Sequence, residues 1–192
     1  MDDHLKETRL DSVLAYDGDF LKVSKDTICL PDGKTATREY IRHPGAVVIL
    51  PVFDDGRVLL ERQFRYPLDR VMIELPAGKI DSGEDTLRCA QRELQEETGY
   101  TASNWQFVCT IHNAIAYSDE HLEIFIARGL AAGPAQLDDG EFLETFIAPT
   151  NELLDMVRSG AITDVKTIIG IFWLEKILAG QWQAPAPLRA AR

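Results

Sequence analysis

The stretch from Gly78 to Tyr100, "GKIDSGEDTLRCAQRELQEETGY", constrains the fold of this chain more than any other. Leu87, Ala90 and Leu94 recur at helical spacing and predict a helix over residues 84–98. Ser82 followed three residues later by Asp85 has the capping-box pattern, and Gly99 stands where a left-handed C-terminal cap belongs. A helix with such an apolar stripe needs an apolar surface to pack on. Beside the stripe, Glu93, Glu96 and Glu97 share a second face about 100° wide. Like charges at this spacing repel by roughly 0.2–0.5 kcal/mol per pair, and the helix dipole disfavours carboxylates near the C-terminus. Only Arg92 lies within the cluster to offset them. An acidic face turned to solvent is the common fate of a Glu-rich helix. A divalent cation accounts better for this one, because hard cations such as Mg2+ take oxygen ligands and leave room for water and phosphate.

The packing surface comes from strands on either side. Residues 12–42 read as short antiparallel strands, with turns at Asp17-Gly18 and Pro31-Asp32-Gly33, and "HPG" at 43–45 marks a boundary. "AVVILPVF" and "RVLLERQF" flank "DDG", a second hairpin candidate, and "VMIEL" adds another strand. After the helix, "WQFVCTIH", "LEIFIARGL" and "EFLETFIAP" read as strands, and "TNELLDMVRSG" and "TDVKTIIGIFWLEKILAG" as helices. Mixed strands with a central helix and two terminal helices predict an α+β or layered α/β/α domain. The expected organisation is an N-terminal β-sheet lobe over 1–43, a main domain over 44–182 and a loose tail over 183–192.

Charge and composition narrow the partners. The net charge of −11 disfavours nonspecific binding to nucleic acid or to an anionic membrane surface. It leaves a small phosphorylated ligand open, since metal ions and a few arginines can reverse the sign locally. No apolar run approaches the roughly 20 residues of a membrane span. The charged N-terminus lacks the apolar centre of a signal peptide. Cys29, Cys89 and Cys109 show no metal-binding spacing and suit a reducing, cytoplasmic setting.

The spacing of the helix residues resembles the signature of the Nudix hydrolases, G-x5-E-x7-R-E-U-x-E-E-x-G-U, where U is a bulky apolar residue. Gly78, Glu84, Arg92, Glu93, Glu96, Glu97 and Gly99 fill the fixed positions, Leu94 fills the first U, and the aromatic Tyr100 stands at the last. The resemblance implies a Nudix α/β/α sandwich and hydrolysis of a nucleoside diphosphate linked to another group. It implies that Glu93, Glu96 and Glu97, with the backbone carbonyl of Ala77, hold Mg2+ or Mn2+. It further implies that Arg92 orients these carboxylates through an ion pair involving Glu84.

The flanks "RHPGAVVILPVFDDGRVLLERQFRYP" and "IELPAGKID" resemble the ADP-ribose pyrophosphatase branch, from about residue 38 to about residue 171. On that resemblance, Arg42 and Arg65 reach the substrate, Glu120 lies near the terminal ribose, and Glu141 supplies a catalytic base or further metal ligand. Asp138, Asp139 and Glu144 are alternatives for the last role, whereas His112 and His121 are expected to be structural or solvated rather than catalytic. The branch also implies a homodimer with exchanged N-terminal sheets. The segment "AIAYSDE" departs from the branch's "SPGFSDE"-like loop, with Ile115 and Ala116 at the Pro-Gly positions. The expected reaction is Mg2+-dependent cleavage of ADP-ribose to AMP and ribose 5-phosphate. GDP-mannose or another nucleoside diphosphate sugar is the rival substrate, and a catalytically silent nucleotide-sugar sensor is the non-enzyme alternative.

Overall fold

The computed structural model describes residues 2–188. The chain divides into two compact units, Met1–Gly45 with His112–His121, and Ala46–Ile111 with the chain from Leu122 onward.

The first unit is a three-stranded antiparallel sheet in the order β1 (Thr8–Asp17), β2 (Lys22–Cys29), β3 (Thr35–Ile41). The two predicted turns connect these strands, although β1 begins four residues before the expected Ser12. The segment 112–121 forms one compact unit with this sheet. Its backbone joins the end of β3: Ile41 N–H donates to Tyr117 O, and Asp119 N–H donates to Ile41 O. β1 is exposed along its whole length, with Leu10, Val13, Leu14 and Tyr16 among its solvent-facing side chains.

In the second unit a four-stranded sheet runs β7 (Ala77–Lys79), β4 (Ala46–Pro51), β9 (Leu122–Ala132), β8 (Tyr100–Ile111). A three-stranded antiparallel sheet runs β10 (Leu143–Pro149), β5 (Arg57–Arg65), β6 (Arg70–Glu74). β4 is buried at every position and pairs in parallel with β9, as a continuous apolar run requires. Alternate side chains serve two cores. Val48, Leu50, Ile124 and Ile126 pack with Val58 and Leu60 of β5 and with α2 (Thr150–Ser159) and α3 (Val165–Leu178). Val47, Ile49, Phe125 and Ala127 face Cys89, Ala90 and Leu94 of α1 (Thr86–Thr98). This is the expected layered α+β arrangement, with α1 on one side and α2 and α3 on the other.

The expected β4–β5 hairpin does not form. The Asp-Asp-Gly turn joins strands that enter different sheets, linked by a single bridge between Val52 and Val58. Pro51, which has no N–H to donate, ends β4 just before the switch. The C-terminal segment makes specific bonds to β8: Gln106 Nε2 donates to Pro185 O (2.6 Å), and Leu188 N–H donates to Trp105 O (2.7 Å). Residues 189–192 of the expected tail lie outside the described residues. No helix among the described residues is long and apolar enough to cross a membrane.

Candidate active site

The site is built around α1, and the local sequence explains its shape. The helix begins two residues later than predicted because Asp85, rather than Ser82, is its N-cap. The Asp85 carboxylate accepts from Leu87 N–H and Arg88 N–H. Gly99 ends the helix at φ 74°, and a Cβ there would lie 2.3 Å from Gly133 O. A Cβ on Gly78 would lie 1.8 Å from Glu93 Cδ, so glycine leaves room for the Glu93 carboxylate against β7.

Arg92 gathers the acidic groups. Its Nε and Nη2 donate to the two oxygens of Glu84 (3.0 and 2.9 Å), and its Nη1 donates to Glu93 Oε1 (2.7 Å) and Glu96 Oε2 (3.0 Å). The predicted Arg92–Glu84 pair is therefore present. The bond from Arg92 holds the Glu84 carboxyl down at about 2. Glu97 is buried, and its Oε2 accepts from Ala77 N–H (3.0 Å). Burial first, then the charges of Glu61, Glu93 and Glu141, push the Glu97 carboxyl up to about 10. Burial also raises Glu93.

Two further segments reach this cluster. Glu141, in the loop before β10, accepts from Gln63 Nε2 (3.5 Å) and from Asp138 N–H (3.4 Å). Along β5, Glu61, Gln63 and Arg65 alternate inward while Arg62 and Phe64 point out. Arg65 donates through Nε (2.6 Å) and Nη2 (2.8 Å) to the two oxygens of Glu74. Lys166 of α3 also donates to Glu74, and to Asp164 Oδ2 (3.1 Å). Burial alone would raise Glu74, but the bonds from Arg65 and Lys166 outweigh it and hold the carboxyl below its ordinary value.

The sequence reading missed Glu61. It is 1% exposed, and neither carboxylate oxygen has a hydrogen-bond partner. Burial pushes it up to about 7 despite the nearby Lys166. Its one signal in the sequence is a carboxylate directly after the apolar run "VLL". The buried Glu74–Lys166 pair was equally hidden, because its members lie far apart in the chain.

Among the described residues, no three acidic, His or Cys side chains are already drawn into a metal cage. Arg92 holds Glu93 and Glu96, and Ala77 N–H holds one oxygen of Glu97. The donor set nevertheless fits a hard divalent cation: it is all oxygen, largely desolvated, mutually repulsive at Glu93 and Glu97, and flanked by the unpartnered Glu61.

The remaining predicted residues, Arg42 and Glu120, belong to the first unit. Arg42 Nη1 donates to Asp119 Oδ2 (2.9 Å), and its guanidinium lies 4.8 Å from the centre of the Tyr40 ring. Glu120 Oε1 is 3.6 Å from His43 Nε2. The departing residue Ile115 is 82% exposed, in a turn closed by Tyr117 N–H and Ser118 N–H donating to Ala114 O.

Comparison with known proteins bears on the family and the fold. The NUDIX domain family model matches residues 42–166. An ADP-ribose pyrophosphatase of Bacillus subtilis is 35% identical over 173 residues, covering 89% of this chain and 94% of its own. An ADP-ribose pyrophosphatase of Mycobacterium tuberculosis is 32% identical, over 98% of this chain and 91% of its own. A methanol dehydrogenase activator of Bacillus methanolicus is 33% identical, over 83% and 88%. Among solved structures, one of an ADP compounds hydrolase superposes with a TM-score of 0.83 at 24% identity, over 92% of this chain and 96% of that one, and supports the fold.

Proposed function

The chain belongs to the NUDIX family of hydrolases, and we propose that its reaction is the cleavage of ADP-ribose to AMP and ribose 5-phosphate. The desolvated carboxylate cluster on α1, held by one arginine, is the observation that carries this reading. The two ADP-ribose pyrophosphatases similar to this chain over most of its length point to the substrate.

Glu93, Glu96, Glu97 and the Ala77 carbonyl would hold a divalent cation, Mg2+ or Mn2+. Such a cation neutralises the diphosphate and lowers the pKa of water at phosphorus. Arg92 keeps Glu93 and Glu96 from splaying apart. Glu141 is the proposed proton acceptor for the attacking water, being a carboxylate beside the cluster and outside the helix. Arg65, oriented by its two bonds to Glu74, keeps its remaining N–H groups for a diphosphate oxygen. The resemblance to the ADP-ribose pyrophosphatase branch supports Arg42 and Glu120 as substrate contacts.

The uniformly exposed β1, with its apolar side chains, supports a homodimer joined through the N-terminal sheets. The free thiols of Cys29, Cys89 and Cys109 accord with a cytoplasmic setting. A substrate panel in Mg2+ tests the assignment. ADP-ribose should show the highest kcat/KM and yield AMP and ribose 5-phosphate. A clear preference for GDP-mannose would move the protein to the rival substrate, and binding without turnover of any nucleotide sugar would favour a sensor.

A further inference from the structure

Glu61 occupies the middle strand of its sheet, opposite Thr145 on one side and Glu74 on the other. Its backbone is committed to both neighbours, and its side chain is enclosed at 1% exposure. The two cations that could neutralise it are already engaged: Arg65 spans both oxygens of Glu74, and Lys166 bonds Glu74 and Asp164. Both Glu61 oxygens therefore lack a partner. A buried carboxylate in that state is costly, and a leucine or valine would extend the run "VLL" without the penalty. Protonation would not remove the problem, because the O–H would also need an acceptor. Glu61 pairs with Glu74 across the strands, and Ala77, on the chain just beyond Glu74, donates its N–H to Glu97, so the Glu61 and Glu97 carboxylates lie in one neighbourhood. They come from different elements, β5 and α1, so helical spacing did not force them together.

We propose that Glu61 is a further cation ligand, supplying a sheet-borne carboxylate oxygen to a divalent ion held jointly with Glu97. The inference rests on the cation site argued above and adds a ligand that the signature spacing does not contain. Such a ligand would tie the ion to the sheet as well as to the helix. It would also give the unpartnered oxygens a function.

The test is Mn2+ binding to the intact, substrate-free protein, read from the EPR signal of free Mn2+. Four proteins are compared: wild type, Glu61→Gln, Glu61→Leu and Glu97→Gln, each checked for folding by circular dichroism. Both Glu61 variants should bind Mn2+ about 10–100-fold more weakly, or lose one bound ion, with wild-type secondary structure. The leucine variant keeps the test valid if the polar amide proves unstable in the cavity. If both Glu61 variants bind like wild type while Glu97→Gln loses affinity, this inference is wrong and the cation site stands. If Glu97→Gln also binds like wild type, the cation site itself is wrong and the inference falls with it.

Discussion

Replacing Gly78 by alanine is the sharpest steric probe of the site. The added Cβ would lie 1.8 Å from Glu93 Cδ and 2.0 and 2.2 Å from its oxygens. Ordinary carbon contact begins near 3.5 Å, so the carboxylate must move by roughly 1.7 Å. Gly78 is not in the left-handed region, so the backbone tolerates alanine and the strain falls on Glu93. A misplacement of about 1 Å can cost about 100-fold in rate, or about 2.7 kcal/mol of transition-state stabilisation. Stability should fall by only about 1–2 kcal/mol, from a crowded contact and a weakened Arg92–Glu93 bond. The assay is steady-state hydrolysis of ADP-ribose in Mg2+, with urea denaturation alongside. Glu93→Ala and the double variant complete a cycle. If alanine at 78 acts by displacing Glu93, it should have little further effect once Glu93 is gone. Near-normal kcat for Gly78→Ala, or an undiminished loss in the Glu93→Ala background, would refute the reasoning.

Other consequences follow from the same geometry. Glu61 and Glu97 titrate well above the ordinary 4.5, so the folded metal-free protein holds these protons more tightly than the unfolded chain. Their stabilising contribution is full below about 4.5 and is lost as pH rises through the folded values; Glu61 alone accounts for about 3 kcal/mol at most. Urea midpoints in chelator should therefore show a downward contribution from pH 5 to 8 that Glu61→Gln reduces, and an unchanged slope in that variant would contradict the assignment. Glu141→Gln should lower kcat by about 100-fold or more with KM little changed, whereas Asp138→Asn and Glu144→Gln should be milder; full activity in all three would leave the loop without a catalytic role. If the proposed homodimer joins through β1, the wild type should sediment as a dimer and the Val13→Asp, Leu14→Asp variant as a monomer; a dimer in both would exclude β1 as the contact.

The helix was legible because its evidence is local. Leu87, Ala90 and Leu94 mark the buried stripe, Gly99 marks the end, and the carboxylates share one face. Its start was misplaced because Ser82 and Asp85 both have capping chemistry, and only the backbone decides which one turns in. Sheet membership was less legible. "AVVILPVF" and "RVLLERQF" have the local character of a hairpin, yet burial of β4 on both faces draws it to β9, more than seventy residues away. For the same reason the sequence could not show that residues 112–121 join the N-terminal sheet. Glu61 shows the limit most clearly. Beside Arg62 it reads as a strand-end charge, and only the alternation of a central strand turns one of the pair inward and the other out.

Hydrolysis of ADP-ribose in 18O-enriched water tests the central claim most directly. A water prepared by a carboxylate-held cation should attack phosphorus, so one 18O should appear in the phosphate group of AMP or of ribose 5-phosphate. Label incorporation should stop with chelator, return with Mg2+ and fall by orders of magnitude in Glu97→Gln. Label at a sugar carbon, or turnover unaffected by chelator and by Glu97→Gln, would contradict the account.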